Sequence, residues 1–160
     1  MNIRPMVRGD LAVVLDMIAA LNATGSAADP RYALADDWRQ GMRALILDRW
    51  FGTFHPFPPC MVAEVDGAVV GMVQGDIGRP PLIVERPPSV CIGNMWVEPE
   101  HRRQGIATAL VRAYSAAARQ AGFPWVEVHT LARDERAVGF WKAMGFGDWR
   151  VILLNDVPAT

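Results

Sequence analysis

The stretch Glu98-Pro-Glu-His-Arg-Arg-Gln-Gly-Ile-Ala-Thr-Ala-Leu-Val111 decides the fold, because the apolar run of residues 90–97 feeds through it directly into an amphipathic helix. The first turn of a helix has backbone N–H groups with no internal partner, and the helix dipole adds partial positive charge. A strand-to-helix junction of this kind is therefore a cradle for an anion. Gly105 permits close backbone approach, and Arg102 and Arg103 place cations beside it. The stretch has neither the Gly-Lys-Ser/Thr of a P-loop nor the Gly-x-Gly-x-x-Gly of a dinucleotide fold.

The elements around this junction can be placed outward from it. Upstream, residues 61–65 and 68–76 are β-rich runs joined by Asp66-Gly67, a dipeptide suited to the tight turn of an antiparallel hairpin. Residues 78–89 form a proline-rich loop. Before the hairpin, residues 3–7 make a short strand, and Asp10 caps a helix carrying Leu11, Val14, Leu15, Ile18 and Leu21. Residues 22–29, small and polar, read as a loop. A second helix is expected over 35–50, stopped by His55-Pro-Phe-Pro-Pro59. Downstream, residues 105–121 place Ile106, Leu110, Ala113, Tyr114, Ala117 and Ala121 on one stripe, with Gly122 ending the helix. Residues 125–131 alternate as a strand, 134–144 form a short helix closed by Gly145, and 149–154 form a last strand.

The composition bounds what such a chain can do. With 160 residues, 51% hydrophobic and 21% charged, it fits one globular domain. The net charge of −1 argues against a nucleic-acid-binding surface. Cys60 and Cys91 are too few for a disulfide framework, and no cysteine or histidine spacing suggests a metal site. A reducing cytoplasm is the natural setting. The N-terminus lacks an apolar signal core, and no nonpolar run reaches the ~20 residues that span a bilayer, so no membrane partner is expected.

Arg102-x-x-Gly105-x-Ala107 resembles the Arg/Gln-x-x-Gly-x-Gly/Ala signature of the GNAT superfamily of N-acetyltransferases. Asp134-x-x-Ala137-x-x-x-Trp141-x-x-x-Gly145-Phe146 is similar to that family's Asn-x-x-Ala-x-x-x-Tyr-x-x-x-Gly-Phe, at the family's spacing. The resemblance implies an α/β (α+β) fold: one domain over residues 1–160, with a core over about 2–155. Its mixed central sheet would have about six to seven strands, flanked by about four helices. It also implies acetyl-CoA as acyl donor with no metal, transfer to a primary amine by direct attack in a ternary complex, and an acceptor that is a small molecule or a peptide. Homodimers are common in the superfamily. An acyl-CoA-binding sensor that does not catalyse is the alternative.

By the same resemblance, the main chain of Met95, Trp96 and Val97 would pair with the pantetheine arm, and a backbone N–H there would polarise the thioester carbonyl. The pyrophosphate would lie against Arg102, Arg103, Gln104, Gly105, Ile106 and Ala107. A strand bulge near residues 95–97 would open the slot. Asp134 replaces an asparagine that contacts the pantetheine, and serves equally as a helix cap. Trp141 stands where the family has its thiol-protonating tyrosine, and an indole N–H releases no proton at neutral pH. Either it packs against the cofactor or bonds the sulfur, or it is structural. Tyr32 and Tyr114 are the only tyrosines, and Tyr114 lies on the core stripe. Glu98 and His129 are the candidate bases, with Glu64, Asp76 and Glu127 weaker. A covalent route through Cys91 or Cys60 has no supporting motif. Trp38, Trp50, Phe51, Phe54, His55 and Phe57, with Asp36 and Asp37, cluster where the family forms its acceptor pocket.

Overall fold

The computed structural model describes residues 1–52, 57–80, 82–83, 85–150 and 152. Its sheet runs β1 (Asn2–Pro5), β2 (Cys60–Val65), β3 (Ala68–Gly78), β4 (Ser89–Val97) and β5 (Val126–Val128), in that spatial order. The first four strands are antiparallel neighbours, and β5 returns parallel to β4 through the helix α3 (Ile106–Gln120). The β2–β3 turn has positive φ at both Asp66 (51°) and Gly67 (82°), the geometry that matches the twist of a two-residue hairpin.

Five strands are described, fewer than the six to seven expected. β5 is shorter than residues 125–131. Of the expected last strand, Trp149, Arg150 and Ile152 are irregular, while residues 151, 153 and 154 lie outside the described residues, as do Phe54 and His55.

Two apolar layers sandwich the sheet. On one face, Ile106, Leu110, Val111, Tyr114 and Ala118 of α3 pack against Val73, Val90 and Ile92. On the other, Val14, Leu15, Met17 and Ile18 of α1 (Leu11–Ala28) cover Val62 and Met72. The segment Arg8–Ala27 is long and apolar enough to cross a membrane by length and composition, with mean hydropathy 1.3, and it buries four of its apolar side chains in this layer.

Helix α1 runs through residues 22–28, which the sequence suggested were a loop. The Asn22 amide donates to the Ile18 carbonyl (2.9 Å) and the Thr24 hydroxyl to that of Ala20 (3.2 Å). These polar side chains thus bond back onto the helix, where they could have nucleated a turn. The helix stops at Asp29, which is extended because Pro30 follows. The second helix, α2 (Trp38–Leu45), starts later than residue 35 and widens into a π turn over Ile46–Trp50.

Helix α4 (Glu135–Ala143) is capped by Asp134, whose Oδ1 accepts from the Ala137 N–H at 3.0 Å. It is closed by Gly145 at φ 90°, and the Phe146 N–H bonds back to the Trp141 carbonyl.

The start of α1 is tied to the sheet by ions. Arg4 on β1 donates to both Asp10 oxygens (2.7 and 3.0 Å) and to Glu64 on β2 (2.9 Å), while Asp10 also accepts from the Val7 N–H. The Arg4 guanidinium holds the buried Asp10 carboxyl below its ordinary range, with the Val7 N–H adding to the effect. A depressed carboxyl stabilises the fold above the free aspartate range, and that stability is lost as pH falls through it. D10N should therefore cost about 2 kcal/mol at neutral pH. In chemical denaturation at a series of pH values, it should also lose less stability than the wild type below about pH 4.

Candidate functional site

The pairing of β4 changes midway along the strand. Asn94 lies opposite Gln74, but the next pair on β3 is Gly75 with Ile92, so Gly93 is an extra residue on β4. Pairing with β5 ends at the same place, at Ile92 and Val128. Beyond Gly93 the edge of the central strand that faces β5 is unpaired among the described residues. The Glu98 N–H bonds the Val70 carbonyl at 2.9 Å. Strand alternation then directs the main chain of Trp96 toward β3 and that of Met95 and Val97 toward the open edge. Of the three residues expected to pair with a pantetheine arm, Met95 and Val97 thus present main-chain groups there.

The junction after β4 is built for anions. A short 3-10 turn, Pro99–His101, leads to Arg102, then to Arg103 at φ 63° and Gly105 at φ 80°. Gly105 is the N-cap of α3; it offers no side chain to the first-turn N–H groups, and that turn has no acidic residue. A Cβ on Gly105 would meet nothing within 4 Å, so the glycine is needed for its left-handed φ. Among the described residues, the N–H groups of Arg103, Gln104, Gly105, Ile106 and Ala107 have no backbone acceptor.

Arg102 contributes differently from a free cation. Its Nε donates to the Val97 carbonyl at 2.8 Å, and its guanidinium lies 4.4 Å from the centre of the Trp96 ring. It consequently ties the end of β4 to the turn before α3 and satisfies the Val97 carbonyl on the open edge.

The face of the sheet away from α3 becomes polar where α1 no longer covers it. Asn94 donates to Gln74 (2.6 Å), Asp76 lies opposite Cys91, and the Cys91 sulfur is 3.8 Å from both ring nitrogens of the exposed His129. Burial pushes the Cys91 thiol up, and the carboxylates of Glu127 and Asp76 add to it against Arg150. Glu127 is held low by the Ser89 hydroxyl (2.5 Å) and by Arg86 (3.0 Å), with Arg150 at 3.2 Å. This Ser89, Glu127, Arg86 and Arg150 network and the pairing of Cys91 with His129 have no local signature, since the bonded partners are 23 to 41 residues apart.

The remaining candidates are dispersed. Trp141 is buried, edge-on to Phe140 (5.0 Å) and Phe146 (5.2 Å) in the layer beneath α3. Tyr114 is fully buried, its hydroxyl 3.4 Å from the Pro59 carbonyl, and burial pushes its pKa up. Tyr32 is half exposed and packs beside Gly25, as does Leu131 beyond β5. Glu98 begins the 3-10 turn without a side-chain capping bond, and Asp134 is committed to capping α4. Phe57 is in the α3 layer, while Trp38, Trp50 and Phe51 pack against the α1 layer. Asp36 and Asp37 line a shallow recess of about 420 Å³ with Arg39 and Arg43. No group of three or more metal-ligating side chains occurs among the described residues.

Comparison with known proteins agrees with this geometry. N-acetyltransferase 8 of Homo sapiens is 38% identical over 85 residues, covering 53% of this chain and 37% of the human protein. An uncharacterized N-acetyltransferase of Methanocaldococcus jannaschii is 32% identical over 91 residues, covering 57% and 40% respectively. The chain therefore spans well under half the length of these relatives. Among solved structures, the aminoglycoside N-acetyltransferase AAC(6')-Iy in complex with CoA superposes with a TM-score of 0.74 at 20% identity, over 97% of this chain and 93% of that one. The aminoglycoside antibiotic 6'-N-acetyltransferase AAC(6')-Ih of Acinetobacter baumannii gives 0.71 at 23% identity, over 99% of both chains. At such identities these likenesses establish the fold. The profile of the Acetyltransferase (GNAT) family matches residues 22–146, from within α1 through both motifs to Phe146, and the chain belongs to that family.

Proposed function

We propose that this protein is an acetyl-CoA-dependent N-acetyltransferase that moves an acetyl group to a primary amine by direct attack in a ternary complex. The observation that carries the reading is the Gly93 bulge, followed at once by an unpaired strand edge and an uncapped helix start. The N–H groups of residues 103–107 suit a pyrophosphate, and the main chain of Met95 and Val97 suits an amide-bearing arm laid along the edge. A backbone N–H on that edge would stabilise an oxyanion on the acyl carbonyl without reorganising. Acetyl-CoA supplies the activated acyl group.

Proton transfer has less support. Trp141 and Tyr114 are core residues, so neither places an acidic proton at the sulfur. His129, at the mouth of the splay, is the better placed base, and Glu98 stands at the far end of the edge. The Cys91 thiol, kept protonated, can donate to one ring nitrogen of His129. In a neutral imidazole the other nitrogen then carries the hydrogen, so His129 must release the thiol before it accepts a proton from the amine.

A protonated Cys91 is also a poor nucleophile, which favours direct attack over an acyl-cysteine. C91S should keep turnover within about twofold, and intact-mass measurement of the wild type quenched with acetyl-CoA should show no acetyl adduct; an adduct that disappears in C91S would replace this mechanism with a covalent one.

Isothermal titration with acetyl-CoA tests the donor site. G105V forces a branched side chain to positive φ and should weaken binding at least tenfold, since the strain of ~1–2 kcal/mol is relieved by moving the N–H groups. Equal affinity of G105V and wild type would sink the cradle. An acyl-CoA-binding sensor is the reading to adopt if acetyl-CoA binds but no amine in a broad panel releases thiol.

A further inference from the structure

The polar floor beside the thioester edge carries information about the acceptor. In a sheet buried on both faces, the central strand is apolar on both sides, as Val90 and Ile92 are toward α3. On the opposite face, β4 presents Cys91, Asn94 and Trp96, and the neighbouring strands add Gln74, Asp76 and His129. Gly93 itself is exposed in the middle of the sheet. Together these residues form a polar stretch of the sheet face beside the bulge. On the same face, the Trp96 indole N–H is buried and meets no acceptor among the described residues.

The two carboxylates nearby differ. Glu127 is consumed by Ser89, Arg86 and Arg150. Asp76, exposed, accepts only the N–H of Ile77 at 2.8 Å among the described residues and meets no cation there. It lies one same-face step along β3 from Gln74, which pairs with Asn94 at the start of the open edge. That step is ~7 Å.

We propose that the acceptor is a compact polar amine with a second cationic group, held by Asp76. The inference rests on the acetyltransferase reading and names its acceptor class. In the reaction the neutral amine forms the N–C bond to the acetyl carbon, the C–S bond breaks, coenzyme A leaves as thiolate, and the extra proton of the nitrogen passes to His129 or water. Asp76 takes no part in these steps. It is a specificity residue that favours a second ammonium on the acceptor.

Thiol release from acetyl-CoA, followed with 1,4-diaminobutane and with 4-aminobutanol as probes, separates the outcomes. The two amines match in length and differ in the charge at the far end. For the wild type, kcat/KM should be at least tenfold higher with the diamine. D76N should bring that ratio to within about twofold of unity by raising KM for the diamine, with acetyl-CoA affinity and thermal stability unchanged. D76E should restore part of the preference. Equal use of both amines by the wild type, or a preference that survives D76N, overturns the assignment. If acetyl-CoA binds and neither amine reacts, the acceptor assignment fails while the donor site stands. If acetyl-CoA does not bind, both fall.

Discussion

One extra residue on the central strand governs what this sheet can do. Gly93 breaks the pairing of β4 with β3 by one position and coincides with the last contact between β4 and β5. Without it, the parallel pairing of β4 and β5 could continue, and the main chain of Met95 and Val97 would be satisfied within the sheet. With it, the middle of a compact domain holds backbone donors and acceptors that await a partner. A bulge also increases local twist, and the pairing of β4 with β5 ends at this one. An added Cβ at Gly93 would stand 3.5 Å from the Gln74 side-chain oxygen, an ordinary contact.

The open edge is stabilised from its far end. Arg102 closes the Val97 carbonyl and stacks on Trp96, which packs on the opposite face against the α1 layer. The turn before α3, the end of β4 and the α1 layer are therefore linked by one planar side chain. Lysine in its place could supply charge but could not make the stack and the in-plane hydrogen bond together. The left-handed Arg103 and Gly105 on either side of Gln104 then aim consecutive N–H groups outward.

Much of this is legible in the sequence because it is local. The hairpin at Asp66-Gly67, the strand leading into α3, the left-handed Gly105 and the Asp134 cap depend on residues a few positions apart. The end of α1 is hidden in the sequence for a physical reason: Asn22, Thr24 and Gly25 favour turns when considered singly, but the true stop is set by Pro30. What the sequence conceals are contacts across strands. Cys91 beside His129, the double pairing of Glu127, and Arg102 on Trp96 follow from register and bulge, and a register cannot be read from residue types when the floor is polar on several strands. The tryptophan at 141 is ambiguous in sequence for the opposite reason, since the indole that cannot act as an acid is also a good core residue; its aromatic contacts account for it fully as packing.

The missing acid need not disable the site. General acid–base assistance contributes about 10²- to 10⁴-fold, whereas holding two reactants in line corresponds to effective molarities of about 10⁵ to 10⁸ M. A thiol ionises near pH 8.5, so coenzyme A can depart as the thiolate and take its proton from water at modest cost. On the proposed reading, the harder requirement falls on the amine, which must shed a proton to attack, and the polar face around exposed His129 is better suited to receive it than the buried Trp141. On the proposed reading, the cradle and the open edge would supply the greater share of the acceleration, which comes from positioning, even with Trp141 where the family has its tyrosine. On that reading the rate should be limited by how well the acceptor is positioned and deprotonated on the face of the sheet that carries Asp76, Cys91 and Asn94.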